Sequence, residues 1–170
     1  VDKTALRVRP RTDEDVEACV RALAEVHHRD GYPVNWPARP GEWLTPAAAL
    51  GNWVADLDGQ VAGHVGLSRA SEGDAAPDLW SERNGACREQ AAVVGRLFVA
   101  PRARGHGLGA LLMGRVTEEA RHRDLHPVLD VVASDTAAAA LYERLGWTRL
   151  ATVEQRWSPS QVVTVHCFSA

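Results

Sequence analysis

Leu97-Phe98-Val99-Ala100-Pro101-Arg102-Ala103-Arg104-Gly105-His106-Gly107-Leu108-Gly109 is the stretch from which the fold can be read. It closes an apolar, β-branched run, Ala91 to Val99, that Pro101 stops, as a buried strand would be stopped. It opens a helical stripe of Leu108, Leu111, Leu112, Val116 and Ala120, with Arg121 and Arg123 near the C-terminal end where cations are favoured. Three glycines at alternate positions strip the turn between them of Cβ atoms. Several backbone N–H groups can then face one anion where the helix N-terminus adds partial positive charge. Arg104, and with it Arg102, can add charge-assisted hydrogen bonds at the rim. The run departs from a dinucleotide loop because Ala110 takes the sixth position and a hairpin precedes the strand. No Gly-Lys-Ser/Thr follows, which excludes a nucleoside-triphosphate loop.

Downstream, His126 to Val132 predicts a second buried strand. Asp135 stands as an N-cap before a helix over Ala137 to Leu145 that Gly146 stops. Trp147 to Val153 and Gln161 to Phe168 predict two closing strands with a Ser-Pro-Ser turn between them. Upstream, Leu6 to Arg9 alternates as a short strand, and Thr12-Asp13-Glu14-Asp15 supplies a cap and first-turn acids. Val16, Cys19, Val20, Leu23 and Val26 then recur at helical spacing until Gly31 and Pro33. Tyr32 to Pro46, with four prolines, reads as a long loop with about one helical turn. Asp58-Gly59 joins Asn52–Leu57 to Gln60–Leu67 as a hairpin. Ser71 to Gln90 reads as a loop holding a short helix around Asp78 to Arg83. No internal repeat or linker interrupts the chain, which predicts one α/β (α+β) domain over residues 1–170.

The 170 residues are 45% apolar and 24% charged, enough to bury a core without staples or metal. Nineteen Lys and Arg against 22 Asp and Glu give a net charge of −3, the wrong sign for a nucleic-acid binder. No apolar run reaches the ~18 residues of a membrane span, and no secretory signal is visible in the Val1 to Arg7 stretch. Cys19, Cys87 and Cys167 are odd in number and lack metal-ligand spacing, which predicts free thiols in a cytoplasm and no metal site.

The glycine turn resembles the acetyl-CoA motif of the GNAT superfamily of N-acetyltransferases, Arg-x-x-Gly-x-Gly/Ala after a strand. Ala138-Ala139-Ala140-Leu141-Tyr142-Glu143-Arg144-Leu145-Gly146-Trp147 is similar to that family's second motif, in the right order and at about the right distance. The resemblance covers residues 91–149 by motif and the earlier residues by order of elements. It implies a mixed central sheet of about six or seven strands, splayed between the two central strands and flanked by about four helices. It also implies acetyl transfer from acetyl-CoA (coenzyme A) to a primary amine by direct attack on the thioester. The pantetheine arm would pair with the strand edge at Leu97, Phe98 and Val99. The pyrophosphate would meet Arg104, Gly105, His106, Gly107, Leu108, Gly109 and Ala110, and Asp135 and Ala138 complete the expected coenzyme contacts.

By the same resemblance Tyr142 is the acid that protonates the leaving thiolate, and a main-chain N–H near Val99 is the oxyanion donor. The family's acceptor segments hold Tyr32, Trp36, Trp43, Trp53 and Trp80, of which Tyr32, Trp36 and Trp80 are the expected substrate contacts. Such rings can enclose a cationic or aromatic amine. The chain departs from the family in one respect: Ala91 to Leu97 carries none of the strand glutamate that serves many members as base. Glu89, Glu82, Asp78 and His64 remain as candidates beside a water chain. Asp135, where many relatives have Asn, reads chiefly as a helix cap. His27 and His28, adjacent on a helix, point about 100° apart and make no metal pair. The expected partner is a small-molecule or peptide amine, with no nucleic acid and no membrane, and a homodimer is in keeping with the family. The missing carboxylate motivates an alternative, a module that binds acyl-CoA without turnover.

Overall fold

A computed structural model describes residues 5–170. The strand order is β1-β2-β3-β4-β5-β7-β6, for β1 (Leu6–Pro10), β2 (Ala49–Leu57), β3 (Gln60–Arg69), β4 (Ala91–Val99), β5 (His126–Val132), β6 (Thr148–Ser158) and β7 (Gln161–Ser169). Only the β4–β5 pairing, over Ala91–Val93 and His126–Val128, is parallel among the registers of β1–β2, β2–β3, β4–β5, β5–β7 and β6–β7. Among the described residues the α-helices are α1 (Val16–Asp30), α2 (Pro40–Trp43), α3 (Ala75–Asn84), α4 (Leu108–His122) and α5 (Thr136–Arg144). The single turn α2 lies in the stretch read as a long loop with about one helical turn. None of these helices is long and apolar enough to cross a membrane. The signal reading at Val1 to Thr4 lies outside the described residues.

The chain's internal contacts gather into two compact units. One holds the described part of Val1–Ser68 with Arg96–Val116; the other holds Arg69–Gly95 with Thr117–Ala170. In the first unit, the capping box of Thr12 and Asp15 opens a short 3-10 turn that leads into α1, and Gly31 closes the helix in the left-handed conformation (φ 74°). Asp58 (φ 54°) and Gly59 (φ 81°) make the tight β2–β3 turn. Leu23, Val54, Leu67, Leu108 and Leu112 are fully buried. A Cβ on Gly63 would lie 3.0 Å from a Leu112 methyl and 3.1 Å from the Phe98 carbonyl, so glycine here lets β3 approach its neighbours closely.

The second unit is built on a buried cluster of Ala76, Trp80, Ala91, Val128, Val165 and Cys167. Its helix α3 is longer at both ends than the Asp78 to Arg83 reading. The reason is tertiary: the Asp130 carboxylate on β5 accepts from the Ala75 and Ala76 N–H groups at 2.8 and 2.9 Å and caps the helix start, where the N-cap residue Asp74 makes no side-chain cap bond. Strand β6 likewise outruns Val153, pairing with β7 as far as Ser158–Gln161.

Candidate functional site

In the first unit the glycine turn is built as the sequence implies. After β4, a 3-10 turn at Pro101–Ala103 leads to Arg104, then Gly105 (φ 86°) and Gly107 (φ 73°), both left-handed, before α4 begins. Leu108 is buried and anchors the helix start, while Arg104 to Gly107 are exposed. Leu111 N–H donates to the Gly107 carbonyl, so the N–H groups just before it belong to the open first turn of a 15-residue helix. An anion fits this cradle. The two arginines are tethered: Arg104 donates to Asp30 at 2.5 Å and to the Val99 carbonyl at 3.3 Å, and Arg102 to Glu25 at 3.2 Å and the Val61 carbonyl at 3.0 Å. His106 is exposed.

Before the turn, β4 carries a conformation that no sequence signal announces: Arg96 is left-handed (φ 55°) inside a strand. Its carbonyl accepts from His64 Nδ1 at 2.9 Å, and its guanidinium lies 3.9 Å from the Trp43 ring centre, with Nε donating to the Trp43 carbonyl at 3.1 Å. His64 is fully buried and stacks on Phe98, ring centres 5.3 Å apart. Arg11 Nη1 lies 2.9 Å from His64 Nε2. Because a guanidinium only donates, Nε2 accepts, and the ring is the neutral Nδ1–H tautomer. Burial pushes the His64 pKa down to about 4, and the charges of Arg11 and Arg96 work in the same direction. With both nitrogens engaged, His64 supports β4 and is no general base. Leu97 and Val99 are half-buried.

Tyr32 and Trp36 also belong to the first unit. Tyr32 meets Trp43 edge-on at 6.2 Å, and Trp36 is 39% exposed beside His27 at 5.2 Å. His27 Nδ1 bonds the Pro33 carbonyl at 2.7 Å, whereas His28 is exposed, so the two histidines do diverge.

In the second unit Asp135 caps α5 as read, accepting from the Ala138 N–H at 3.1 Å. One turn on from half-buried Ala138, Tyr142 is 5% exposed, with Trp147 at 6.1 Å and Phe168 at 5.7 Å. Trp80 corrects the expectation of a substrate contact: it is buried in the core cluster and stacks on His126 at 4.9 Å, so its faces are used in packing. Among the candidate bases here, Asp78 is bound by Arg88 at 2.7 Å, and Glu82 and Glu89 are exposed.

The turn and the capped helix are legible in the sequence; the positive φ of Arg96 and the bond of Arg11 to His64 are not, since arginine is common throughout the chain.

The chain matches the model of the acetyltransferase (GNAT) family over residues 19–147. A search of curated proteins returns no match. Among solved structures, it is similar to the ribosomal-protein-S18-alanine N-acetyltransferase of Escherichia coli, at 17% identity and TM-score 0.69, covering 97% of this chain and 92% of that one. A GCN5-related N-acetyltransferase from Kribbella flavida is similar at 23% identity and TM-score 0.71, over 98% and 97%. NAA60 of Arabidopsis thaliana, in complex with acetyl-CoA, is similar at 18% and 0.69, over 98% and 99%. At these identities the likeness establishes the fold.

Proposed function

The chain belongs to the acetyltransferase (GNAT) family, and we propose on that premise that it moves the acetyl group of acetyl-CoA to a primary amine. The observation that carries the reading is the exposed turn at Arg104 to Gly107, whose two left-handed glycines open the N-terminus of a long helix. That cradle suits the pyrophosphate of coenzyme A. Main-chain groups of Leu97, Phe98 and Val99 would hold the pantetheine arm, with Asp135 and Ala138 as further contacts.

The neutral amine attacks the thioester carbonyl. A C–N bond forms, the C–S bond breaks, and the amine gives up a proton to water. A main-chain N–H near Val99 stabilises the oxyanion, and the Tyr142 phenol protonates the departing thiolate. Tyr32 and Trp36 stand in the acceptor segments. The three cysteines are unpaired, which supports a cytoplasmic setting, and a homodimer belongs to the same reading.

A second reading is favoured by a specific observation: β4 holds no carboxylate and His64 has both nitrogens occupied. In that reading the chain binds acyl-CoA as a sensor without turnover. Calorimetry with acetyl-CoA and a thiol-release assay over a panel of amines separate the two. Catalysis requires thiol release that depends on both substrates, and a sensor binds without release. Arg104→Glu should weaken acetyl-CoA binding about tenfold, about 1.4 kcal/mol, by setting a like charge beside the phosphates. Tyr142→Phe should lower kcat by about a hundredfold or more and leave that affinity unchanged. Equal affinity in the first variant would remove the turn from the site, and an unchanged kcat in the second would remove the acid.

A further inference from the structure

Inside β4, Arg96 holds a left-handed conformation (φ 55°) that an L side chain adopts only at a cost. The groups that sustain it belong to the same unit. His64 Nδ1 donates to the Arg96 carbonyl at 2.9 Å. The Arg96 side chain is anchored on Trp43, with its guanidinium 3.9 Å from the ring centre and its Nε donating to the Trp43 carbonyl at 3.1 Å. His64 is itself held on every side. It is fully buried, stacks on Phe98, and accepts at Nε2 from Arg11 at 2.9 Å. Arg11 is fixed in turn by the Leu44 carbonyl at 2.8 Å and by Thr45 Oγ1 at 2.6 Å. Its donor at Nε2 keeps the imidazole proton on Nδ1, where it can bond a carbonyl.

A peptide group is planar and trans, so its C=O and N–H point to opposite sides. The bond that draws the Arg96 carbonyl onto His64 therefore turns the Leu97 N–H away from that ring. A left-handed residue within a strand makes a bulge, which re-aims backbone groups and interrupts the ladder.

Resting on the acetyl-transfer reading above, we infer that His64 is a positioning residue for that reaction: by holding the Arg96–Leu97 peptide it presents the Leu97 N–H as the oxyanion donor. The imidazole transfers no proton and acts only through the carbonyl it holds. Rate is sensitive to such placement, since a displacement of about 1 Å costs on the order of a hundredfold.

The test separates the conformation at position 96 from the group that enforces it. His64→Leu removes the donor and should lower kcat for amine-dependent thiol release about a hundredfold, with acetyl-CoA affinity by calorimetry within about threefold of the wild type. Glycine is left-handed without strain, so adding Arg96→Gly to His64→Leu should recover about tenfold, a rescue that lost packing alone would not give. His64→Asn, whose amide keeps a donor near the Nδ1 position, should fall between the wild type and His64→Leu. Arg96→Val, β-branched and averse to positive φ, should be about tenfold slower than Arg96→Gly. Both lose the guanidinium, so their difference reads the backbone, and this pair decides the matter should His64→Leu fail to fold. The same variants are read without turnover by the infrared stretch of acetyl-CoA isotope-labelled at its thioester carbonyl. The stretch should move to lower frequency on binding to the wild type, return toward its solution value in His64→Leu, and move down again in the double variant. Unchanged kcat and stretch in His64→Leu, no recovery with Arg96→Gly, or equal rates for the glycine and valine variants would overturn the role. A stretch that follows the variants in a protein releasing no thiol would leave the placement of the Leu97 N–H standing and overturn acetyl transfer instead. Acetyl-CoA that does not bind would overturn both.

Discussion

Arg9 and Arg11 stand two residues apart, and their surroundings are opposites. Arg9 donates to both oxygens of Asp15 at 2.7 and 2.9 Å and to Asp56 at 3.3 Å. Its hydrogen bonds to Asp15 raise its pKa and hold the Asp15 carboxyl well below the usual range. Arg11 bonds a carbonyl, an imidazole and a hydroxyl. A charge matched within the protein serves folding. Arg11 feels Asp13 and Asp15 only through space, and its bonds tie the chain after β1 to the end of α2 and to His64.

The comparison breaks most visibly at Asp15. This carboxylate, 9% exposed, also accepts from the Thr12 N–H and hydroxyl at 2.7 and 3.1 Å, so it binds β1 to the start of α1. Asp15→Ala leaves Arg9 short of its partner and should cost about 4 kcal/mol in denaturant unfolding. A loss below about 1 kcal/mol would place the balanced cluster among ordinary surface pairs. Because the folded-state pKa of Asp15 is depressed, its contribution is complete above the ordinary carboxylate pKa of about 4 and fades as pH falls through the folded value.

His64, which Arg11 bonds, gives a smaller effect in a different window. An unfolded histidine takes up its proton near 6.5, whereas buried His64 does so only at about 4. The unfolded state therefore binds more protons between those values, and stability present above the upper one is lost on the way down to the lower. The loss should be on the order of 3 kcal/mol. Half-buried His126 shifts in the same direction, so the measurement is the difference in pH slope between the wild type and His64→Gln. Parallel slopes would mean that His64 does not remain neutral.

Much of the frame was legible because its determinants are local. The β4 and β5 ranges follow from apolar runs bounded by Pro101 and by the Asp135 cap, and the β2–β3 turn from Asp58-Gly59. The glycine turn and the α5 motif could be read for the same reason. What was missed depends on distant partners. Helix α3 starts where Asp130 caps it, and no residue near Ala75 shows this. Trp80 could be placed in an acceptor segment by position, but its stacking on His126 depends on the tertiary fold. Arg96 sits in an apolar strand pattern that gives no hint of a positive φ, and only the His64 bond to its carbonyl shows how the bend is held.

The smallest effect concerns Arg104, an arginine both paired with a carboxylate and expected to bind a ligand. Arg104 pairs with Asp30, but the two side chains are 42% and 39% exposed, so the pair contributes little to stability. Asp30 is also the last residue of α1, where a negative charge opposes the helix dipole. Asp30→Asn removes both effects at once, and the stability change should stay within about 0.5 kcal/mol. The ligand side does not cancel in this way. The Asp30 carboxylate competes for the guanidinium that phosphate would use and repels phosphate itself. The variant should bind acetyl-CoA about twofold more tightly at low salt, and the gain should shrink in ~1 M salt, where screening acts within about 3 Å. Weaker binding in the variant would show instead that Asp30 orients Arg104 toward the ligand, making this pair part of the site and not a competitor for it.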